Sequence, residues 1–454
     1  MNHELNSERS RLRNLLMRTK NLELHEAERC LETAVISVHV SAHAATTRAG
    51  QHAALTAIIL ATRCFGEVRV SGAVDTDLIV SNFPLGRTIR QVGLTIGAKF
   101  ELIPTCRTVA VGGASEISSD LPCIQAVWDG WHARTIPGYA TTPIGRSDIA
   151  LAGITAAALS IGQAFSAEIG DATAGRRQQH INLWEPGFNS TTDTGPSSYV
   201  LPDALWLIGL GNLGQAYLWC LSSLAYQDRA AMKLYLQDFD RIGKENWGTS
   251  VLVEKGRYGM LKTKAAEEWA ETVGFSVFRI DRLLDPNLHR TVHEPAIALA
   301  GLDKIAPRRI LGNTGFEYVI DAGLGMGTRD FRQFRINVFD DTFNPETHFD
   351  GVEDRGRQEF ERTLQLPAYQ AHRAASKDGG CGTLILAQQP IVVPFVSMVA
   401  ASVAVTQAIR IASMQAPART VVGTLDDLRN LRVTPGAAQQ RPTVGYLPSL
   451  RGAH

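Results

Sequence analysis

Ala204-Leu-Trp-Leu-Ile208 runs straight into Gly209-Leu-Gly211-Asn212-Leu-Gly214 and a helical pattern. A second apolar run, Met232-Lys-Leu-Tyr-Leu-Gln237, then ends in Asp238-Phe-Asp240. An apolar strand that turns through glycines into a helix lets the backbone approach a phosphate and aims helix N-terminal amides at it. Asp238, 24 residues past Gly214, falls where a second strand presents an acid to ribose hydroxyls. This much fits any dinucleotide or mononucleotide site. Two features beyond it narrow the reading. Asn246 follows Asp240 by six residues, and Lys262-Thr-Lys264 opens a further helix. A redox domain of this type needs the acid but has no use for the asparagine and the lysines. A lysine at the same crevice can neutralise charge building on phosphates. The order therefore points to an ATP site of the adenylating kind, with Gly209, Gly211, Asn212, Gly214, Asp238, Asp240, Asn246, Lys262 and Lys264 around the nucleotide. Taken singly, Asp240 is also a good helix cap, Asn246 a turn residue and the lysines a solvated face.

Residues 204–265 resemble the ThiF/ubiquitin-activating-enzyme superfamily, with its glycine turn, D-x-D strand end, asparagine linker and lysine segment. The resemblance extends more loosely to residue 412 through Glu317-Tyr-Val-Ile-Asp321 and through Cys381-Gly-Thr followed by Pro390 to Ile411. It implies ATP-dependent adenylation, with Mg2+, of the C-terminal glycine of a ubiquitin-like or sulfur-carrier protein. It further implies that Asp238 holds ribose, that Lys262, with Lys264 second to it, meets the phosphates, and that Asp321 binds the metal. Thioester transfer to Cys381 is an optional second step that would call for a conjugating partner. The chain departs from the family at two charge-handling positions: Thr249 stands where the family has a phosphate arginine, and Leu324 where it has a second aspartate. Arg241, Arg257, or another chain or domain are the candidates to supply the missing charge.

The 454 residues exceed one compact core and suggest about two domains. Lys+Arg and Asp+Glu both number 45, so no net field draws nucleic acid or an anionic membrane. With 44% apolar and 20% charged residues the composition is that of a globular protein. The first 20 residues lack the apolar core of a signal peptide, and the apolar stretches are interrupted by polar residues short of a membrane span. Six scattered cysteines suggest free thiols in a reducing, cytoplasmic setting.

The first half reads as helix over 1–34, strand Val35–Val40, helix Ala53–Thr62, strand Glu67–Val70, strand Val109–Gly112 and an alanine-rich helix over Gly145–Phe165. Its first turn, Ser41 to Gly50, lacks the glycine triplet. Gly153 to Phe165 can be laid over Ser397 to Ile409 with four of thirteen positions identical. The expectation is an α/β protein of two Rossmann-like ThiF-type domains. Residues 1–175 form a degenerate ThiF-like (or another α/β) domain, 176–203 a linker, 204–415 the ATP-binding domain and 416–454 an irregular tail. A fused inactive half makes one chain resemble a dimer, and a further homodimer is compatible with that.

Cys381 follows the glycine-containing stretch 377–380, with His372 nine residues upstream. A thiolate there is a fit nucleophile, although cysteine is as often a buried apolar residue. His39 reads as a packed strand residue, and the acids at 340–341 and 350–354 as a solvated loop. Two rival classes stay open. One is an NAD(P)-dependent oxidoreductase using the same glycine turn, which leaves Asn246 and the lysines unexplained. The other is a non-catalytic nucleotide-binding scaffold for a ubiquitin-like partner, which the missing arginine and aspartate favour.

Overall fold

Apolar β-branched runs separated by helices give the chain two sheets of one topology. The computed structural model describes residues 7–115, 117, 120–139, 148–187, 194–352, 356–376 and 380–436. The first half contains α1 (Ser10–Lys20), α2 (Leu24–Thr33), β1 (Val35–Val40), α3 (Arg48–Cys64), β2 (Glu67–Gly72), β3 (Lys99–Phe100), β4 (Thr108–Val111), β5 (Cys123–Asp129), β6 (His132–Pro137), α4 (Ala150–Glu168) and β7 (Gln179–Asn182). The second contains β8 (Ala204–Ile208), α5 (Asn212–Ser223), β9 (Lys233–Gln237), α6 (Lys262–Val273), β10 (Ser276–Ile280), β11 (Ile297–Ala300), α7 (Ile305–Ile310), β12 (Tyr318–Leu324) and β13 (Gln333–Phe339). It is completed by α8 (Gly356–Leu364), α9 (Pro367–Ala375), α10 (Cys381–Gln388), α11 (Pro394–Ala412), β14 (Ala418–Thr424) and β15 (Arg432–Pro435).

The sheets run β3-β2-β1-β4-β5-β6-β7 and β10-β9-β8-β11-β12-β13-β14-β15. Numbered within each half, both orders read 3-2-1-4-5-6-7, the second with one strand more. In each the first five strands are parallel and the remainder antiparallel. The strand order therefore reverses beside β1 in one half and beside β8 in the other, and a crevice opens there at the strand C-termini.

The repetition reaches single residues. A Cβ on Gly214, the third residue of α5, would stand 2.1 Å from the Gly209 carbonyl oxygen. A Cβ on Gly50, the third residue of α3, would stand 2.2 Å from that of Ala44. The first half has thus kept the glycine that lets the helix pack on the turn, while the short helix Ala42–Ala45 fills the space the other glycines leave open. The match between Gly153 and Ser397 holds as well. The first presses on Ala49 at the start of α3, and the second hydrogen-bonds Asn212 at the start of α5. The first half is a second copy of the fold.

The halves meet through their central helices. A Cβ on Gly162 of α4 would stand 2.9 Å from the Phe395 ring of α11, and Trp219 Nε1 donates to Thr56 Oγ1 at 2.8 Å. The apolar helices α4 and α11 are 19 residues each, long and apolar enough to cross a membrane. This corrects the expectation that no stretch reaches that length; both helices are buried in the core.

Other boundaries also move. The N-terminal helix is two, parted at Asn21, which takes the left-handed conformation (φ 54°). Gln179–Asn182, inside the expected linker, is an edge strand, and Ala418–Pro435, inside the expected irregular tail, contributes two strands. Gln179–Asn182 and Arg432–Pro435 are four residues each and largely polar, so their alternation is weak in sequence. They are tied by tertiary bonds instead, Gln179 Oε1 accepting from the Leu428 N–H at 3.1 Å. The rest of the tail, and parts of the stretches at 140–147, 188–193, 353–355 and 377–379, lie outside the described residues.

Candidate active site

Gly209 follows β8 with φ +85°, in the left-handed region, and a Cβ there would stand 2.8 Å from the Gly301 carbonyl oxygen. A Cβ on Gly211 would meet nothing within 4 Å. The turn therefore leaves open space over Gly211 and directs the first amides of α5 into it, which is the geometry a phosphate needs. Asn212, the first residue of α5, accepts from Ser397 Oγ at 2.6 Å, while its Nδ2 is a buried donor without a partner. Its role here is to tie the turn to α11.

Asp238 is buried, and both its oxygens accept backbone N–H groups: Oδ2 from Leu210 at 2.6 Å and Oδ1 from Asp240 at 2.8 Å. Its carboxylate locks the glycine turn to the end of β9, and the remaining lone pairs are what it has to offer a ribose. Asp240 pairs through Oδ2 with Lys262 Nζ at 2.7 Å, and its carbonyl accepts the Lys262 N–H at 2.9 Å. Lys262 is thus held at the mouth of the same crevice, with its side chain mostly buried.

Lys264 goes elsewhere. It pairs with Glu267 at 2.9 Å and Glu268 at 3.8 Å along its own helix, because it sits two positions, about 200°, round α6 from Lys262. The structure brings only the first lysine to the site. Asn246 makes a turn: its Oδ1 accepts the Gly243 N–H at 2.8 Å and its carbonyl the Ser250 N–H at 2.8 Å. Thr249, at the family's arginine position, is buried beneath it. Neither expected substitute faces the crevice free. Arg257 pairs with Glu254 and Glu268, and Arg241 donates to the Gly259 carbonyl.

The cation that sequence reasoning missed is Arg11. It comes from α1 of the first half and is half-buried, with its Nε lacking a hydrogen-bond partner. Burial pulls its pKa below the ordinary arginine value, against the pull of Glu245 and Asp303. Glu245 adjoins Asn246, and Asp303 follows Gly301 and Leu302, which line Gly209. Nothing in the sequence near Arg11 marks it out, since only the docking of α1 on the second half brings it here.

Asp321 does not fit the metal role. It is fully buried, with Oδ2 accepting from Asn337 Nδ2 at 3.2 Å and Oδ1 3.5 Å from Arg308 Nε. A buried carboxylate already facing a guanidinium has no need of a cation. Among the described residues no three His, Cys, Asp or Glu side chains gather as a metal site. The turn, Lys262 and Arg11 fit a nucleotide triphosphate; the residues present do not build a magnesium site.

Cys381 is exposed and opens α10 after Gly380 (φ +89°). His372 Nδ1 lies 2.8 Å from Thr383 Oγ1, two residues further on. Burial pushes the thiols of Cys64, Cys123 and Cys220 up to about 12. Cys381 and Cys30 are the exposed thiols, and all six cysteines are free.

A family model described as the BilD N-terminal domain matches residues 35–183, and one described as the BilD C-terminal domain matches residues 201–415. The chain belongs to the BilD family. It is 31% identical over 394 residues to the bacterial E1-like protein BilD of Collimonas sp. (strain OK412), covering 85% of this chain and 84% of that one. Among solved structures, E. coli MccB crystallised with ATP is 14% identical with a TM-score of 0.34, over 53% of this chain and 66% of its own. PaaA is 16% identical with a TM-score of 0.34, over 51% of this chain and 72% of its own. The BilD boundary between residues 183 and 201 falls between β7 and β8, where the first sheet ends and the second begins. In this BilD-family chain the glycine turn belongs to the second half, and Arg11 reaches it from ahead of the first matched segment.

Proposed function

We propose that this chain adenylates the C-terminal glycine of a ubiquitin-like or sulfur-carrier protein with ATP, and then passes it to the Cys381 thiol. A carboxylate oxygen of the glycine attacks the α-phosphorus, the bond to the β-phosphate oxygen breaks, and pyrophosphate leaves an acyl-adenylate behind. In the second step the Cys381 thiolate attacks the acyl carbon and AMP departs, the thiol proton having gone to solvent.

The observation that carries the reading is Lys262, held by Asp240 at the mouth of the crevice beside the open Gly211 turn. There its ammonium can stabilise charge developing on the phosphates. The α5 amides receive a phosphate, Arg11 adds the charge that Thr249 cannot, and Asp238 keeps the turn rigid. The roles above need only this chain's own groups. Membership of a family whose curated member is named E1-like supports the same chemistry. An oxidoreductase would leave Lys262 and Arg11 without a task. Free thiols throughout suit a reducing compartment such as the cytoplasm.

ATP–pyrophosphate exchange, with and without a ubiquitin-like protein ending in glycine, tests the proposal. Exchange that depends on the carrier is the expected result. ATP binding without exchange would reduce the chain to a scaffold, and absence of ATP binding would remove the reading altogether.

A further inference from the structure

On α3, Arg48, His52 and Thr56 follow one another at intervals of four and so share one face of the helix. That face looks at the second half, since Thr56 accepts from Trp219 of α5. His52 is 4% exposed, and both its ring nitrogens are buried without a hydrogen-bond partner. A neutral imidazole carries one donor and one acceptor, and leaving both unmade is costly. Phe83 lies beside the imidazole, ring centroids 6.3 Å apart, and itself packs on Trp219 and Trp269 at 5.6 and 5.4 Å. Trp269 Nε1 is another buried donor without a partner.

Two guanidinium groups bear on the same place. Arg229, just past α5, donates through Nη2 to the Ser222 and Leu224 carbonyls at 2.9 and 3.0 Å, while its Nη1 is buried with no acceptor. Arg48 is half-buried at the first turn of α3. Asp148, an acid whose charge bears on Arg48, uses Oδ1 to accept the Ala49 N–H at 2.7 Å. Burial first, and then the charges of Arg48 and Arg229, push the His52 pKa down to about 3. Burial first, and then the charge of Arg48, pulls the Arg229 pKa down to about 10. Two cations and a partnerless imidazole therefore stand together at the boundary of the halves, away from the glycine turn, with Asp148, Tyr199 and Tyr226 as the acidic groups near them.

We propose that a small oxyanion such as phosphate binds here, between the halves. It would accept from Arg229 Nη1, Arg48 and the His52 N–H, giving Arg229 Nη1 and the imidazole the acceptor they lack. The aromatic walls and the depth of His52 favour a small free anion over a peptide segment. Because the ligand touches α3 on one side and Arg229 on the other, its binding fastens the first half to the second.

The test is thermal unfolding of the full chain with inorganic phosphate replacing chloride at constant ionic strength. Phosphate can also enter the nucleotide crevice, so wild type is compared with Lys262→Ala, Arg48→Gln and His52→Phe. The expected result is a rise in Tm of about 3 °C at saturating phosphate in wild type and in Lys262→Ala. Arg48→Gln and His52→Phe should show no rise. His52→Phe keeps a planar aromatic ring, a little larger than imidazole, and removes the unmet polar atoms, so without phosphate it should still fold with stability close to wild type. A rise that survives both of those substitutions, or that disappears with Lys262→Ala, overturns the proposal.

Discussion

Lys262 Nζ stands 2.7 Å from Asp240 Oδ2, and the Lys262 N–H donates to the Asp240 carbonyl, so side chain and backbone together pin the start of α6 to the end of β9. Lys264, on the far side of the helix, is tied to Glu267. Lys262→Ala should lower ATP–pyrophosphate exchange by about 100-fold or more, the usual loss when a charge-stabilising donor is removed. Lys264→Ala should stay within about 2-fold, because surface pairs along a helix contribute little. Equal losses in the two variants would show that the crevice is not where the phosphates sit.

Arg11 has a buried Nε without a partner, so its removal takes no hydrogen bond at that atom from the fold. Arg11→Ala should reduce exchange by about 100-fold while moving Tm by less than about 2 °C. Arg11→Lys should recover part of the rate, since charge returns but the planar fork does not. A large fall in Tm with little change in rate would make the residue structural.

Arg18 of α1 holds the far end of the cysteine helix. Its Nη2 donates to the Leu386, Ala387 and Gln389 carbonyls at 3.3, 3.1 and 2.7 Å, and its guanidinium lies over Tyr369. Arg18→Ala should cost about 2 kcal/mol, the scale for charged hydrogen bonds to buried carbonyls. Hydrogen exchange should then speed up across Cys381–Gln388 before the central helices. Unchanged protection there would mean that α10 stands without the clamp.

Thiol accessibility separates the cysteines. Brief alkylation of the folded chain should label Cys381 and Cys30, which are exposed, and spare Cys64, Cys123 and Cys220, whose thiols burial holds up at about 12. Cys381→Ala should retain exchange and lose any carrier thioester, whereas Cys30→Ala should keep both. A thioester that persists in Cys381→Ala would move the nucleophile elsewhere.

His180 stacks on His132, with ring centroids 5.0 Å apart and Nε2 2.7 Å from His132 Nδ1. Burial, then the neighbouring His132 and Arg134 charges, pull its pKa from 6.5 to about 4. The unfolded chain therefore binds a proton in that interval that the folded chain refuses, and stability falls as pH drops from about 6.5 towards about 4. His180→Gln should flatten the slope of Tm against pH in this window. His52, pulled down to about 3, keeps part of the slope in place. A slope identical to wild type would exclude the pair as a source of acid lability.

What was legible in the sequence was what local chemistry dictates. The strand–glycine–helix order, the acid closing β9, the lysine opening α6 and the alanine-rich helices of both halves all announce themselves within short windows, because turns, caps and apolar periodicity depend on near neighbours. The repeated fold was legible too, through the match of Gly153 with Ser397. Polar edge strands such as Gln179–Asn182 and Arg432–Pro435 were not, since partners far along the chain hold them. The resemblance ranked Lys262 ahead of Lys264, but only the fold shows which side of α6 faces Asp240. Asp321 looked like a metal ligand until the fold closed Arg308 and Asn337 around it. The sequence by itself determined a glycine turn open to a phosphate and its doubled scaffold. Only the tertiary structure decided which cations are candidates there, because Lys262 is held by Asp240 and Arg11 comes under Glu245 and Asp303 across two halves of the chain whose approach no local pattern encodes.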